Sequence, residues 1–235
     1  MKYQASSSDQ SESADLIISD FAKTTFQKVA LNALVIAALS ILVNVCLRVD
    51  FTLLHHGLGE TSATELAQLM MLAVTSLSFF HLVRTKSSVT YAAALVSGFF
   101  MVMFIREMDV WFDMIAHGAW VVPALTITFA ACYFAFSGGK KTIDQMALLL
   151  NTRYMPVLIT SAVLLLVFTR LYGMGSFWHS VMGDHYIRDV KNLSEEATEL
   201  MAYSIIAFAA VKTCLLVKRS DALDQGSDLT KLSSH

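Results

Sequence analysis

The densest run of chemically capable side chains is Arg106-Glu107-Met108-Asp109-Val110-Trp111-Phe112-Asp113, followed by His117 and Trp120. If the helix carrying Arg106 continues through this run, Arg106, Asp109 and Asp113 share one face and Glu107 sits to the side. The arginine then pairs with an acid of its own helix. The carboxylates left over are available to a proton, a cation or a partner. With His117 beside them they could hold a divalent metal that activates water. Carboxylates also suit harder ions such as magnesium, manganese or calcium.

Two further sets of acids open apolar stretches. Glu65, Gln68, Thr75 and Ser76 fall within an arc of about 100° at helical spacing. Glu195, Glu196, Glu199 and Tyr203 occupy a similar arc of about 100°. Asn192 stands where an N-cap would, with Glu195 at the third helical position. Arg170, at the end of another apolar stretch, is placed to need a carboxylate neighbour. The catalytic or proton-carrying candidates are Glu65, Glu107, Asp109, Asp113, His117 and Glu199, with Arg106 and Arg170 as structural charge partners. The metal-ligand candidates are Glu107, Asp109, His117, Glu195 and Glu199, and the implied cofactor is a divalent metal ion. Haem wants histidines in facing spans, and only His81 and His117 come near, on opposite sides. The three cysteines, Cys46, Cys132 and Cys214, are scattered, with no CxxC spacing.

The elements that must position these residues are long and apolar. Hydrophobic residues make up 55% of the 235 and charged residues 15%, against about a quarter charged in a soluble domain. The sequence predicts an all-α, polytopic integral membrane protein with six transmembrane helices. They run over about residues 28–47, 65–84, 86–106, 118–137, 154–171 and 199–218. A bilayer core about 30 Å thick needs roughly 20 helical residues. The fifth span is marginal, because Arg153 and Arg170 enclose only sixteen residues. The sixth carries Lys212, which must snorkel to a surface or find a partner. Residues 1–24 read as a disordered cytoplasmic tail, 25–219 as the membrane domain and 220–235 as a second cytoplasmic tail.

Charge sets the expected orientation. With both termini cytoplasmic, twelve of the seventeen Lys and Arg residues lie inside and five lie outside, namely Arg48, Arg106, Arg170, Arg188 and Lys191. Eleven of the nineteen acids then lie outside. This bias fits the plasma (inner) membrane of a bacterium. No basic cluster is large enough to suggest nucleic acid.

Ionisable residues within spans are functional candidates by default. A plainer alternative is that Glu65, Glu195 and Glu196 stabilise helix dipoles, that loop acids are solvated, and that Trp111, Trp120 and Trp178 form an interfacial belt. Three functional classes stay open. An enzyme would use the acid-rich, outward-facing site to bind a cation or metal and act on a membrane-associated substrate. A cation- or proton-coupled transporter would continue the site inward, where little beyond His81, Ser76 and Ser97 is available. A non-catalytic membrane subunit would present the acids to a protein partner. In architecture the chain resembles membrane hydrolases related to alkaline ceramidase, which place a zinc site of His, Asp and Ser among their helices. The histidines here lack HxxxH spacing, no HExxH occurs, and no residue is carried over from that resemblance.

Overall fold

A computed structural model describes the backbone over residues 5–53 and 62–232, and the side chains over residues 20–52 and 62–224. The far ends of the two expected tails, residues 1–4 and 233–235, lie outside the described residues. Among the described residues every regular element is helical. Five helical segments are long and apolar enough to cross a membrane: Asp20–Thr52, Ala63–Arg84, Thr90–Glu107, Met155–Tyr172 and Arg188–Asp224. A sixth candidate, Val121–Ser137 with Lys140–Leu150, is bent by 105°.

Two units divide the chain, residues 1–42 and residues 43–235. In the first, α1 (Ala5–Arg48) exposes Phe21, Phe26, Leu31 and Leu34, and Thr24 Oγ1 donates back to the Asp20 carbonyl at 2.9 Å. Polar side chains are exposed up to Lys28, and from Val29 to Leu39 the exposed side chains are apolar, which suits hydrocarbon rather than water.

In the second unit, α2 (Ala63–Arg84) and α3 (Thr90–Glu107) form an antiparallel pair, and α10 (Arg188–Leu232) packs on α2. Small residues let the helices approach closely. Ala92, Ala93, Ala209 and Ala210 are buried beside Leu72, Phe79, Phe100 and Ile206. The Ser76 and Ser97 hydroxyls each donate to the other's carbonyl at 3.0 Å, which ties α2 to α3. The polar arc of α2 therefore faces inward at Gln68, Thr75 and Ser76, all buried; Ser76 bonds between helices, while the Thr75 hydroxyl donates within α2 to the Met71 carbonyl at 2.8 Å.

Three expectations need correction. The helix of Arg106 does not run on to Asp113. It stops at Glu107, and a short α4 (Asp109–Asp113) follows. Asp109 ends it, because its own Oδ1 accepts from the Val110 N–H at 2.7 Å, a bond that competes with helix continuation. The span expected over residues 118–137 is α5 (Val121–Ser137), which then bends at Gly138-Gly139 into α6 (Lys140–Leu150). Gly139 has φ +55°, a conformation that glycine tolerates best. Asn192 is not an N-cap, since α10 begins at Arg188 and carries the Lys191–Glu195 pair one turn apart.

The segment before α10 comprises α7 (Met155–Val163), a π-helical turn at Leu164–Phe168, α8 (Thr169–Tyr172) and α9 (Gly175–Met182). Trp178 is buried in a ring cluster with Phe168, Tyr172 and Phe177, and its Nε1 donates to the Tyr172 carbonyl at 2.7 Å. Lys212 lies half-buried with its amine 5.5 Å from the Phe208 ring centroid, a cation–π contact within the helix that carries it.

Candidate functional site

The start of α2 is fixed from two directions. Ser62 caps it, its Oγ accepting from the Glu65 N–H at 3.1 Å. Asp50, fully buried, reaches the same helix end from just beyond α1. Its Oδ1 accepts from the Ala63 N–H at 2.7 Å. Its Oδ2 accepts from the Thr64 N–H at 3.0 Å and the Thr64 hydroxyl at 2.5 Å. A carboxylate filling the free N–H groups of a helix start also complements the dipole.

This anchored turn presents Glu65 and Gln68 to the end of α3 and the first turns of α10. Gln68 Nε2 donates to Glu196 Oε2 at 2.6 Å. Tyr203, buried one helical stretch below, donates its hydroxyl to Glu107 Oε1 at 2.9 Å. Arg106 pairs with the same Glu107 oxygen at 3.3 Å. Glu65, Glu107, Asp109 and Glu196 line a cavity of about 370 Å³ together with Ser62 and Trp111. Among the described residues, no basic side chain is part of its lining. Glu196 lies within electrostatic range of Glu65, Glu107 and Glu195.

Glu199 sits beside the cavity rather than in its lining. Its Oε1 lies 3.4 Å from the Thr169 hydroxyl, which also donates to the Leu165 carbonyl at 2.5 Å, and it is within electrostatic range of Arg170, Glu196 and Glu107. Glu195 is tied to Lys191 and lies over buried Gly173, where an added Cβ would run into its carboxylate.

The structure thus brings Glu65, Glu107 and Asp109 to one cavity and Glu199 alongside it. Asp113 and His117 form a separate exposed group. Asp113 Oδ2 is 3.2 Å from His117 Nδ1, and its Oδ1 accepts from the Gly118 N–H at 2.7 Å. These bonds close the turn before α5. Among the described residues, no group of three or more His, Cys, Asp or Glu side chains is arranged to hold a metal ion. The five residues expected as ligands, Glu107, Asp109, His117, Glu195 and Glu199, lie beside Tyr203 and Arg106, Val110, Asp113, Lys191 and Thr169 respectively.

Two residues outside the candidate set prove central in the geometry. Glu196 lines the cavity and holds Gln68; its signal was its place one turn before Glu199 on a shared arc. Asp50 anchors α2 from 13 residues before Ala63, and no local spacing announces a cap that comes from so far along the chain.

The fold and site define an all-helical chain with five helices, or six with the bent pair, able to cross a membrane, and with acids gathered in a cavity at one end of its second unit. The chain matches no protein-family model, no curated protein and no solved structure.

Proposed function

We propose that this is a multi-pass membrane protein whose acid-lined cavity binds an organic cation, an amine or ammonium group on a membrane-associated substrate. The observation that carries the proposal is the lining: four carboxyl groups, Glu65, Glu107, Asp109 and Glu196, and, among the described residues, no basic side chain in that lining. Arg106 offsets Glu107 alone. A bare divalent ion needs several ligands converging at fixed distances. An ammonium group spreads its charge and tolerates carboxylates set around a cavity. Trp111 adds an aromatic face of the kind that attracts alkylammonium groups. A volume of about 370 Å³ falls in the range of small-ligand sites. Leu66 and Trp111, 59% and 53% exposed, put apolar surface at the cavity's edge, which suits a ligand whose remaining part rests among lipids.

On this reading both termini are cytoplasmic, α5 is the fourth of six spans and the site faces outward from a bacterial plasma membrane. The twelve-to-five division of basic residues supports that orientation.

The test is calorimetric titration of the purified full chain with a short alkylamine, tetramethylammonium and the isosteric neutral alcohol. The amines should bind and the alcohol should not. Glu196→Gln and Glu65→Gln should each weaken amine binding roughly tenfold, the worth of one charge-assisted contact. Equal binding of amine and alcohol sinks the proposal. So does stoichiometric bound metal that disappears in Glu107→Ala/Asp109→Ala.

A further inference from the structure

The opposite end of the second unit gathers bases, with Asp144, Asp221 and Asp224 among them. Arg84 and Lys86 close α2, Lys140 and Lys141 open α6, Arg153 follows α6, and the Lys218 amine lies 2.8 Å from His81 Nε2. Here α6 is held across the start of α3. The Tyr91 N–H donates to Gln145 Oε1 at 2.7 Å, and the Thr142 hydroxyl donates to the Ala135 carbonyl at 2.6 Å. The bend is tight: a Cβ added at Gly138 would meet the Tyr91 ring at 2.7 Å.

Between α3, α5 and α6 this elbow leaves a cleft of about 410 Å³. Its walls are apolar, from Leu95, Cys132, Ala135, Phe136 and Ile143, and Lys140 is the basic residue at its rim. Phe136 and Ile143 are 83% and 72% exposed. The cleft is therefore continuous with the exposed apolar surface that Phe129 and Tyr133 give α5. On the far side of α6, Leu149 is fully buried and Met146 packs on the core, so the helix is docked on one flank and apolar on the next. Lys140, Lys141 and Asp144 are exposed, and neither lysine is ion-paired among the described residues. Because α6 turns 105° from α5, it runs along the membrane plane when α5 stands upright in it. Hydrocarbon then surrounds the cleft, and headgroups meet the two lysines.

We propose that this elbow is a binding site for an anionic phospholipid, with an acyl chain in the cleft and the headgroup phosphate against Lys140 and Lys141. Apolar walls capped by unpaired cations match the two halves of that molecule. A zwitterionic lipid would fill the cleft equally well and gain less from the lysines. Lys140 at the rim and Lys141 next to it, partly offset by Asp144 one turn along, leave a net positive charge that favours a headgroup of net negative charge.

The experiment uses the full chain, delipidated in neutral detergent and mixed with phosphatidylglycerol or phosphatidylcholine, with retained lipids counted by native mass spectrometry. Wild type should retain phosphatidylglycerol preferentially. Lys140→Gln/Lys141→Gln should lower that retention roughly tenfold and leave phosphatidylcholine unchanged, while Lys140→Arg/Lys141→Arg keeps the preference. Cys132→Trp, which fills the cleft, should lower retention of both lipids. If that variant fails to fold, the lysine pair and the loss of preference at high salt still decide. Equal retention of the two lipids by wild type overturns the proposal, as does a preference indifferent to the lysine substitutions. A dimer that covers the elbow with a second copy overturns it as well.

Discussion

Replacing Asp50 with Ala removes a fully buried acceptor and leaves three donors behind it: the Ala63 and Thr64 N–H groups and the Thr64 hydroxyl. Ala63 is half-buried and regains some water, whereas Thr64 is completely enclosed. Two stranded buried donors at about 2 kcal/mol each give a loss of about 4 kcal/mol. For a chain of this size that corresponds to a fall of roughly 8–16 °C in the unfolding midpoint. Asp50→Asn retains one acceptor oxygen and should lose about half as much. Because both groups belong to one bonded cluster, Thr64→Val combined with Asp50→Ala should cost less than the sum of the two. The assay is a thermal ramp in detergent with a thiol-reactive dye. Cys46, 9% exposed and one turn before Asp50, and Cys214, 7% exposed and on α10, are both shielded reporters. With Cys132 and Cys214 replaced by Ala, Cys46 reports the anchor locally. A fall of less than about 3 °C in Asp50→Ala, or strict additivity with Thr64→Val, would refute the reasoning.

Gly98→Leu should destabilise by about 1–3 kcal/mol through overpacking, because even a Cβ there would sit 2.6 Å from that of Ala131; an unchanged midpoint in the same ramp would show that α3 and α5 can part freely. A reporter enzyme fused after His235 should be active only in the cytoplasm, and activity on the far side of the membrane would reverse the proposed orientation of the acidic site.

The parts of this fold legible in the sequence are those that repeat. Apolar runs marked α2, α3, α5 and the stretch from α7 to α8 to within about four residues, while α1 and α10 run well past the expected first and last spans; helical spacing placed Gln68, Thr75 and Ser76 on the face that is buried. What periodicity cannot carry is where a helix yields to a local competitor. Asp109, read as part of a continuing face with Arg106, instead captures its neighbour's N–H and ends the run, so Arg106 turns to Glu107. No span is expected over residues 138–153, where the structure places α6, and the glycine pair before it marks the bend. Glu196 was grouped with the acids that start a helix because dipole stabilisation explained it adequately. Its bond to Gln68 depends on two helices meeting, which spacing along one chain cannot state. His117 shows the reverse case: its sequence neighbours are acids, but the turn they form points it to Asp113 alone.

From Arg188 to Asp224 the last helix contains neither proline nor glycine, the usual sources of a kink. Glu196 at the cavity and Lys218 against His81 are therefore fixed on one stiff rod, about 33 Å apart along its axis. Such a rod transmits torque. A turn of α10 by one residue's angle, about 100°, would withdraw Glu196 from Gln68 and swing Lys218 off His81 in the same stroke, so the acidic and basic ends cannot be repacked independently.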